Sequence, residues 1–128
     1  MERLHIQARE RTPEVDFRFE EQRFSLRGES YPEDAPGFFG PLLRALGEHC
    51  SSVHEGEVVF EIALTYFNTS SAKFLMNLFQ ALEDHGKAGA KVRIVWHHHA
   101  DDEMMSEFGR DFSEDLRHVR FELHETAG

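Results

Sequence analysis

Only one cysteine, Cys50, occurs in the chain, so no intrachain disulfide is available and a reducing, cytoplasmic setting is expected. Basic residues are scarce as well: 14 Lys and Arg stand against 24 Asp and Glu, a net charge of -10. That balance argues against nucleic acid as a partner, because a phosphate backbone calls for a basic stripe. It argues equally against docking on an anionic membrane. No apolar run approaches the roughly 18 residues of a membrane span, and the first residues alternate charged and apolar side chains without a signal-peptide core. Internal repeats and low-complexity tracts are also missing.

What is present is enough apolar material for one core. The chain has 128 residues, of which 40% are apolar and 12 are Phe. That length suits a single domain over residues 1–128 and is too short for two cores of ordinary size.

Period-two alternation predicts strands at residues 4–8, 15–19 and 23–27, the last two joined by Glu20-Glu21-Gln22 as a β-hairpin with one buried face. Residues 28–37, with Gly, Ser, two Pro and acids, read as a loop. Phe38, Phe39, Leu42, Leu43 and Leu46 then recur at helical spacing. In the strand 58–67, Val58, Phe60, Ile62, Leu64 and Tyr66 share one face, while Val59, Ala63 and Phe67 make the other face largely apolar too. A strand covered on both sides is expected. A second helix carries Phe74, Leu75, Leu78, Phe79 and Leu82 inward and ends near His85-Gly86. Residues 92–96 form the next strand, Asp101-Asp102-Glu103 cap a third helix with Met104, Met105, Phe108, Phe112 and Leu116 inward, and 119–123 close the sheet. The order β, ββ, α, β, α, β, α, β predicts an α/β sandwich with a mixed sheet, an N-terminal hairpin and about three helices.

Asn68-Thr69-Ser70-Ser71 is a dense helix-start signal. It lies where a central strand passes into a helix, at the carboxyl edge where open α/β sheets bind ligands and partners. The helix end there presents free N–H groups and a positive dipole, a welcoming place for a phosphate. A plain helix cap is the commoner reading of such a cluster; one capping residue would suffice, four stand here, and Thr69 is singled out among them as the functional candidate. Neither Thr69 nor Ser70 reads as a catalytic nucleophile, since no Gly-x-Ser-x-Gly elbow exists and Ser70-Ser71-Ala72-Lys73 matches Ser-x-x-Lys by letter alone.

His97-His98-His99 followed by Asp101 and Asp102 offers metal-ligand chemistry. Alternation lets only His97 and His99 converge, with Asp101 or Asp102 as a carboxylate, and no His-Glu-x-x-His supports them. Solvated strand-end residues are the plainer reading; a small metal-dependent hydrolase is the competing one, and a constitutive protein-binding adaptor a third. Tyr31, in Ser30-Tyr31-Pro32-Glu33-Asp34, serves either as a plug under the loop or as an interface anchor.

Four blocks, Thr12-Pro13-Glu14-Val15, Gly28-Glu29-Ser30-Tyr31-Pro32-Glu33, Tyr66-Phe67-Asn68-Thr69-Ser70-Ser71 and Trp96 with Asp101-Asp102-Glu103, occur in order over nearly the whole chain. Together they resemble the SiaC family of bacterial regulatory phosphoproteins. Asp34 stands where the family often has Asn, and His97-His98-His99 replaces positions that usually include an aromatic or acidic residue. The resemblance implies a STAS-like fold and a non-catalytic partner switch without a cofactor. It further implies a Ser/Thr protein kinase that phosphorylates Thr69 (with Ser70 and Ser71 as rival sites) and a PP2C-type phosphatase that reverses this. The unphosphorylated form would bind and activate a diguanylate cyclase, raising cyclic di-GMP and favouring biofilm. Asn68, Ser70, Ser71, Tyr31, Pro32 and Glu33 are the partner-binding candidates.

Overall fold

The structure, a computed structural model, describes residues 2–53 and 55–126. Strands and helices follow as β1 (Leu4–Ile6), β2 (Glu14–Arg18), β3 (Arg23–Ser30), α1 (Ala35–Ser52), β4 (Glu57–Phe67), α2 (Thr69–Lys87), β5 (Lys91–His99), α3 (Glu103–Ser113) and β6 (Arg120–Thr126). The six strands lie in the sheet in sequence order. β1–β2 and β2–β3 are antiparallel, whereas β3–β4, β4–β5 and β5–β6 are parallel. This is the mixed α/β sandwich with an N-terminal hairpin that the alternation of elements predicts.

The parallel strands advance across the sheet in one direction, and right-handed crossovers then deliver α1, α2 and α3 to the same face. Phe39, Leu42 and Leu46 of α1, the apolar stripe of α2 and Met105 of α3 all join one cluster with Val58, Phe60, Ile62, Leu64, Val92, Ile94 and Trp96. Phe39 and Phe74 stack at 3.8 Å where α1 meets α2. The expectation that β4 is covered on both faces is therefore corrected. Its second face is open and carries ion pairs: Arg27 with Glu61, Arg93 with Glu122, and Asp16 with Arg3 and Arg18. Val59 and Val95 stay buried on that face, flanked in register by Arg93, Glu61 and Glu122, whose aliphatic stems can shield them.

Several local readings also change. Residues 28–30 extend β3, and α1 starts at Ala35, so the loop expected over 28–37 shrinks to 31–34. Gly28, at φ +113, lies where the β3–β4 register shifts: it opposes Leu64, but Glu29 opposes Tyr66, leaving Thr65 as the extra residue of a bulge. The bulge inverts the alternation at the end of β4. Tyr66, predicted to share the face of Leu64, is 50% exposed, and Phe67 turns into the core against Trp96. On α3, Met104 is exposed rather than inward and Phe108 is only part-covered, while Leu116 falls beyond the helix end.

Candidate functional site

The carboxyl ends of β3 and β4 and the first turn of α2 are tied together by a small hydrogen-bond knot. Asn68 has extended backbone angles and caps α2: its Oδ1 accepts from the Ser71 amide at 2.9 Å and from the Ser70 hydroxyl at 3.1 Å. The Ser30 carbonyl accepts from the Asn68 amide at 3.0 Å and from the Ser71 hydroxyl at 2.9 Å. The Ser30 and Ser71 hydroxyls lie 2.8 Å apart, both buried. Polar residues at 30 and 71 support each other here, because the buried Ser30 hydroxyl has Ser71 as its partner and a buried hydroxyl left without one is costly. The Ser-Tyr-Pro and Asn-Thr-Ser-Ser segments, far apart in sequence, thus form one structural unit.

The three hydroxyls of the cap differ sharply in setting. Ser71 is fully buried and doubly bonded. Ser70 is exposed, with its hydroxyl committed to Asn68. Thr69, the first residue of α2, is exposed, and among the described residues its hydroxyl has no hydrogen-bond partner. The opening amides of a helix lack intrahelical acceptors, so this hydroxyl stands beside the positive end of the α2 dipole. Lys73, one turn on, is also exposed.

Around this point the surface is unusually aromatic. Tyr31 is half-buried and meets Tyr66 edge-on at 5.7 Å; it is neither a core plug nor fully presented. Pro32 is buried and Glu33 exposed, the latter paired with Arg11. The Tyr31 amide donates to the Arg11 carbonyl at 2.8 Å, which fixes the rim. On the helix side, Phe108 leans on Phe67 with ring centroids 4.9 Å apart, and Met104 lies one turn before it. Sequence spacing assigns Tyr66, Phe108 and Met104 to the core side, and the structure leaves all three exposed. The bulge that turns Tyr66 outward has only Gly28 as a signal.

The histidine run sits at the end of β5, the strand-end position of the plainer reading, although the strand extends through His99 rather than stopping at 96. His97, His98 and His99 belong to β5 and pair in register with His124, Glu125 and Thr126 of β6. His97 Nε2 lies 3.2 Å from Glu61 Oε1 and its Nδ1 lies 3.0 Å from His124 Nδ1. His99 Nδ1 is instead 3.4 Å from the Thr126 hydroxyl, and Asp101 is exposed in the following turn. His97, His99 and Asp101 are not brought together, and among the described residues no group of three His, Cys, Asp or Glu is arranged to hold a metal ion. The triad of the hydrolase reading does not form. Two further titratable groups are structural. Burial pushes the Cys50 thiol up to about 11, away from reactive thiolate character, and desolvation with His85 nearby lowers His49.

No helix among the described residues is long and apolar enough to cross a membrane. Comparison with known proteins gives a consistent picture. Residues 6–126 match the model of the SiaC family regulatory phosphoproteins. An uncharacterized protein of Pseudomonas aeruginosa strain UCBPP-PA14 is 30% identical over 115 residues, 90% of each chain. A chain from the crystal structure of the diguanylate cyclase SiaD in complex with its activator SiaC, from P. aeruginosa, superposes with a TM-score of 0.92. It is 28% identical, over 96% of this chain and 99% of that one. Apo-SiaC from the same organism gives 0.85 at 28% identity, over 99% and 100% of the two chains.

Proposed function

The chain belongs to the SiaC family of regulatory phosphoproteins, and we propose that it is a cytoplasmic, non-catalytic partner switch set by phosphorylation of Thr69. The observation that carries the site assignment is the contrast among the three cap hydroxyls: Thr69 is exposed and unengaged, Ser70 is tied to Asn68, and Ser71 is buried. A kinase active site must receive a side chain in reach of solvent, which Ser71 could offer only after α2 is peeled from β3.

The activator in the related complex binds the diguanylate cyclase SiaD. By that likeness the unphosphorylated form of this chain binds and activates a diguanylate cyclase, and so promotes cyclic di-GMP synthesis and biofilm formation. A Ser/Thr kinase and a PP2C-type phosphatase would set the state of Thr69. The rim of Tyr31, Pro32, Glu33, Asn68 and Ser70, extended by Tyr66 and Phe108, supplies aromatic anchors of the kind that dominate protein interfaces.

Phosphate adds a charge of about -1.5 to -2. In the free protein the α2 dipole offsets a part of this, about 0.3–1 kcal/mol. Against a partner without a matching cation, desolvation costs several kcal/mol. A difference of about 3 kcal/mol lowers affinity roughly a hundredfold, enough to release the partner with the fold intact.

The test is capture of partners from the source cell lysate by unmodified, Thr69-phosphorylated and Thr69→Ala protein, with partners identified by mass spectrometry. A cyclase held by the unmodified and Ala forms and shed by the phosphorylated form is the expected result. Kinase labelling that survives Thr69→Ala would sink the site assignment.

A further inference from the structure

The open face of the sheet holds a second constellation, remote from the chemistry of Thr69. His97 and His124 are direct cross-strand partners on adjacent parallel strands, and their Nδ1 atoms face each other at 3.0 Å. On the far side of the His97 ring, Nε2 lies 3.2 Å from Glu61 Oε1. A carboxylate can only accept there, so the proton of neutral His97 sits on Nε2 and its Nδ1 lone pair is directed at His124. This is the arrangement of a metal-ligating histidine, whose second nitrogen is held by a carboxylate that fixes tautomer and ring orientation. Without metal, the His124 Nδ1–H donates to His97 Nδ1. Coordination by both Nδ1 atoms would place a metal ion beside the line joining them. The His124 proton then moves to its own Nε2, so that both rings bind as neutral Nε2–H tautomers.

We propose that His97 and His124 are a two-imidazole chelating site for a divalent transition metal, oriented by Glu61. The spacing fits: two metal–nitrogen bonds of about 2.0 Å span about 2.8 Å at a right angle and about 3.3 Å at the tetrahedral angle. Since no three protein ligands converge among the described residues, the remaining positions fall to water. His124 is exposed, so water reaches the pair from that side. The other carboxylate nearest on β6, Glu122, is engaged by Arg93 and Arg120. Bound metal would fasten β6, the edge strand, to β5.

The experiment uses tag-free, chelator-treated protein titrated calorimetrically with copper(II), nickel(II) and zinc(II) salts at neutral pH. One ion per chain is expected, copper binding tightest as the usual affinity order requires. Affinity should fall at least about tenfold in His97→Ala and in His124→Ala, and also in Glu61→Gln through loss of ring orientation. His98→Ala, whose ring faces the opposite side of the sheet and contacts the His99 carbonyl, should bind as wild type. Copper should also raise the unfolding temperature of wild type and leave that of His124→Ala unchanged, a comparison that shows both proteins folded. Absence of stoichiometric binding would reduce the pair to a hydrogen bond and overturn the proposal. Binding that persists in His124→Ala and is lost in His98→Ala would overturn it too, by assigning the metal to the consecutive histidines.

Discussion

Replacing Glu83 with alanine removes the anchor that holds the α3–β6 connection against α2. The Glu83 carboxylate is buried, and one oxygen accepts from the Arg117 amide at 2.9 Å and the His118 amide at 2.8 Å, while the other lies 2.6 Å from His118 Nδ1. Hydrogen bonds to a charged acceptor are each worth about 1.5–3 kcal/mol. Three on one carboxylate do not add, because the exposed donors of residues 117 and 118 recover water when freed. The expected loss is about 3 kcal/mol, or a fall of roughly 10 °C in unfolding temperature for a domain of this size. Glu83→Gln keeps a carbonyl oxygen for both amides and forfeits the charge, so about 1 kcal/mol is expected. The pH dependence sharpens the test. Burial opposes ionisation of Glu83, but the His118 side chain and the His118 and Arg117 amides together outweigh it and hold the carboxyl below its usual value of 4.5. A group depressed in the folded state stabilises fully above its unfolded value and loses that contribution as pH falls through the folded one. The gap in unfolding temperature between wild type and Glu83→Ala should therefore stay constant from about pH 7 to about pH 5.5 and narrow below about pH 4.5. Thermal unfolding followed by circular dichroism across that range measures it. A gap that persists unchanged in acid, or a Gln variant as unstable as the Ala variant, would refute the reasoning.

Substitutions at three other positions probe the frame that holds the candidate site. A Cβ at Gly109 would lie 2.6 Å from Trp96 Cδ1 and 2.8 Å from Leu123 Cδ2, so Gly109→Ala should displace α3 at a cost of about 1–3 kcal/mol; the single Trp reports it by fluorescence during denaturant unfolding. At Gly86 a Cβ would run into the His118 carbonyl oxygen, a backbone atom that cannot swing aside. Gly86→Ala should therefore destabilise at least as much as Glu83→Ala and be nearly non-additive with it in a double-mutant cycle. Asn68→Ala removes the acceptor of the Ser71 amide and should cost about 1 kcal/mol by chemical denaturation, whereas Asn68→Asp, still a good cap, should cost much less.

Features set by short-range forces are visible in the sequence, and those set by long-range contacts are not. Hairpin, helices and strand order were legible because each rests on local periodicity: alternation at 15–19 and 23–27, the Phe74 to Leu82 stripe, and the Asn68 and Asp102 caps, both of which accept from the amide three residues on. Chain order and crossover handedness even contain the one-sided layering, although the apolar Val59 and Ala63 pointed the other way. Apolar character alone does not tell a residue beneath a helix from one shielded by long charged neighbours.

The sequence by itself determined the α/β class, the acidic surface, the helix start at Thr69 and the family blocks, because these depend on composition and on neighbours a few residues apart. Tertiary structure alone decided which cap hydroxyl stays free, since Ser71 is consumed by Ser30 from 41 positions away. It also decided that Tyr66 faces outward, because a one-residue bulge against Gly28 inverts the period-two pattern. His97 likewise acquired its partners, Glu61 and His124, only when β4, β5 and β6 aligned. The physical reason is common to all three: strand register is fixed by the whole sheet, and it is register that converts distant residues into neighbours.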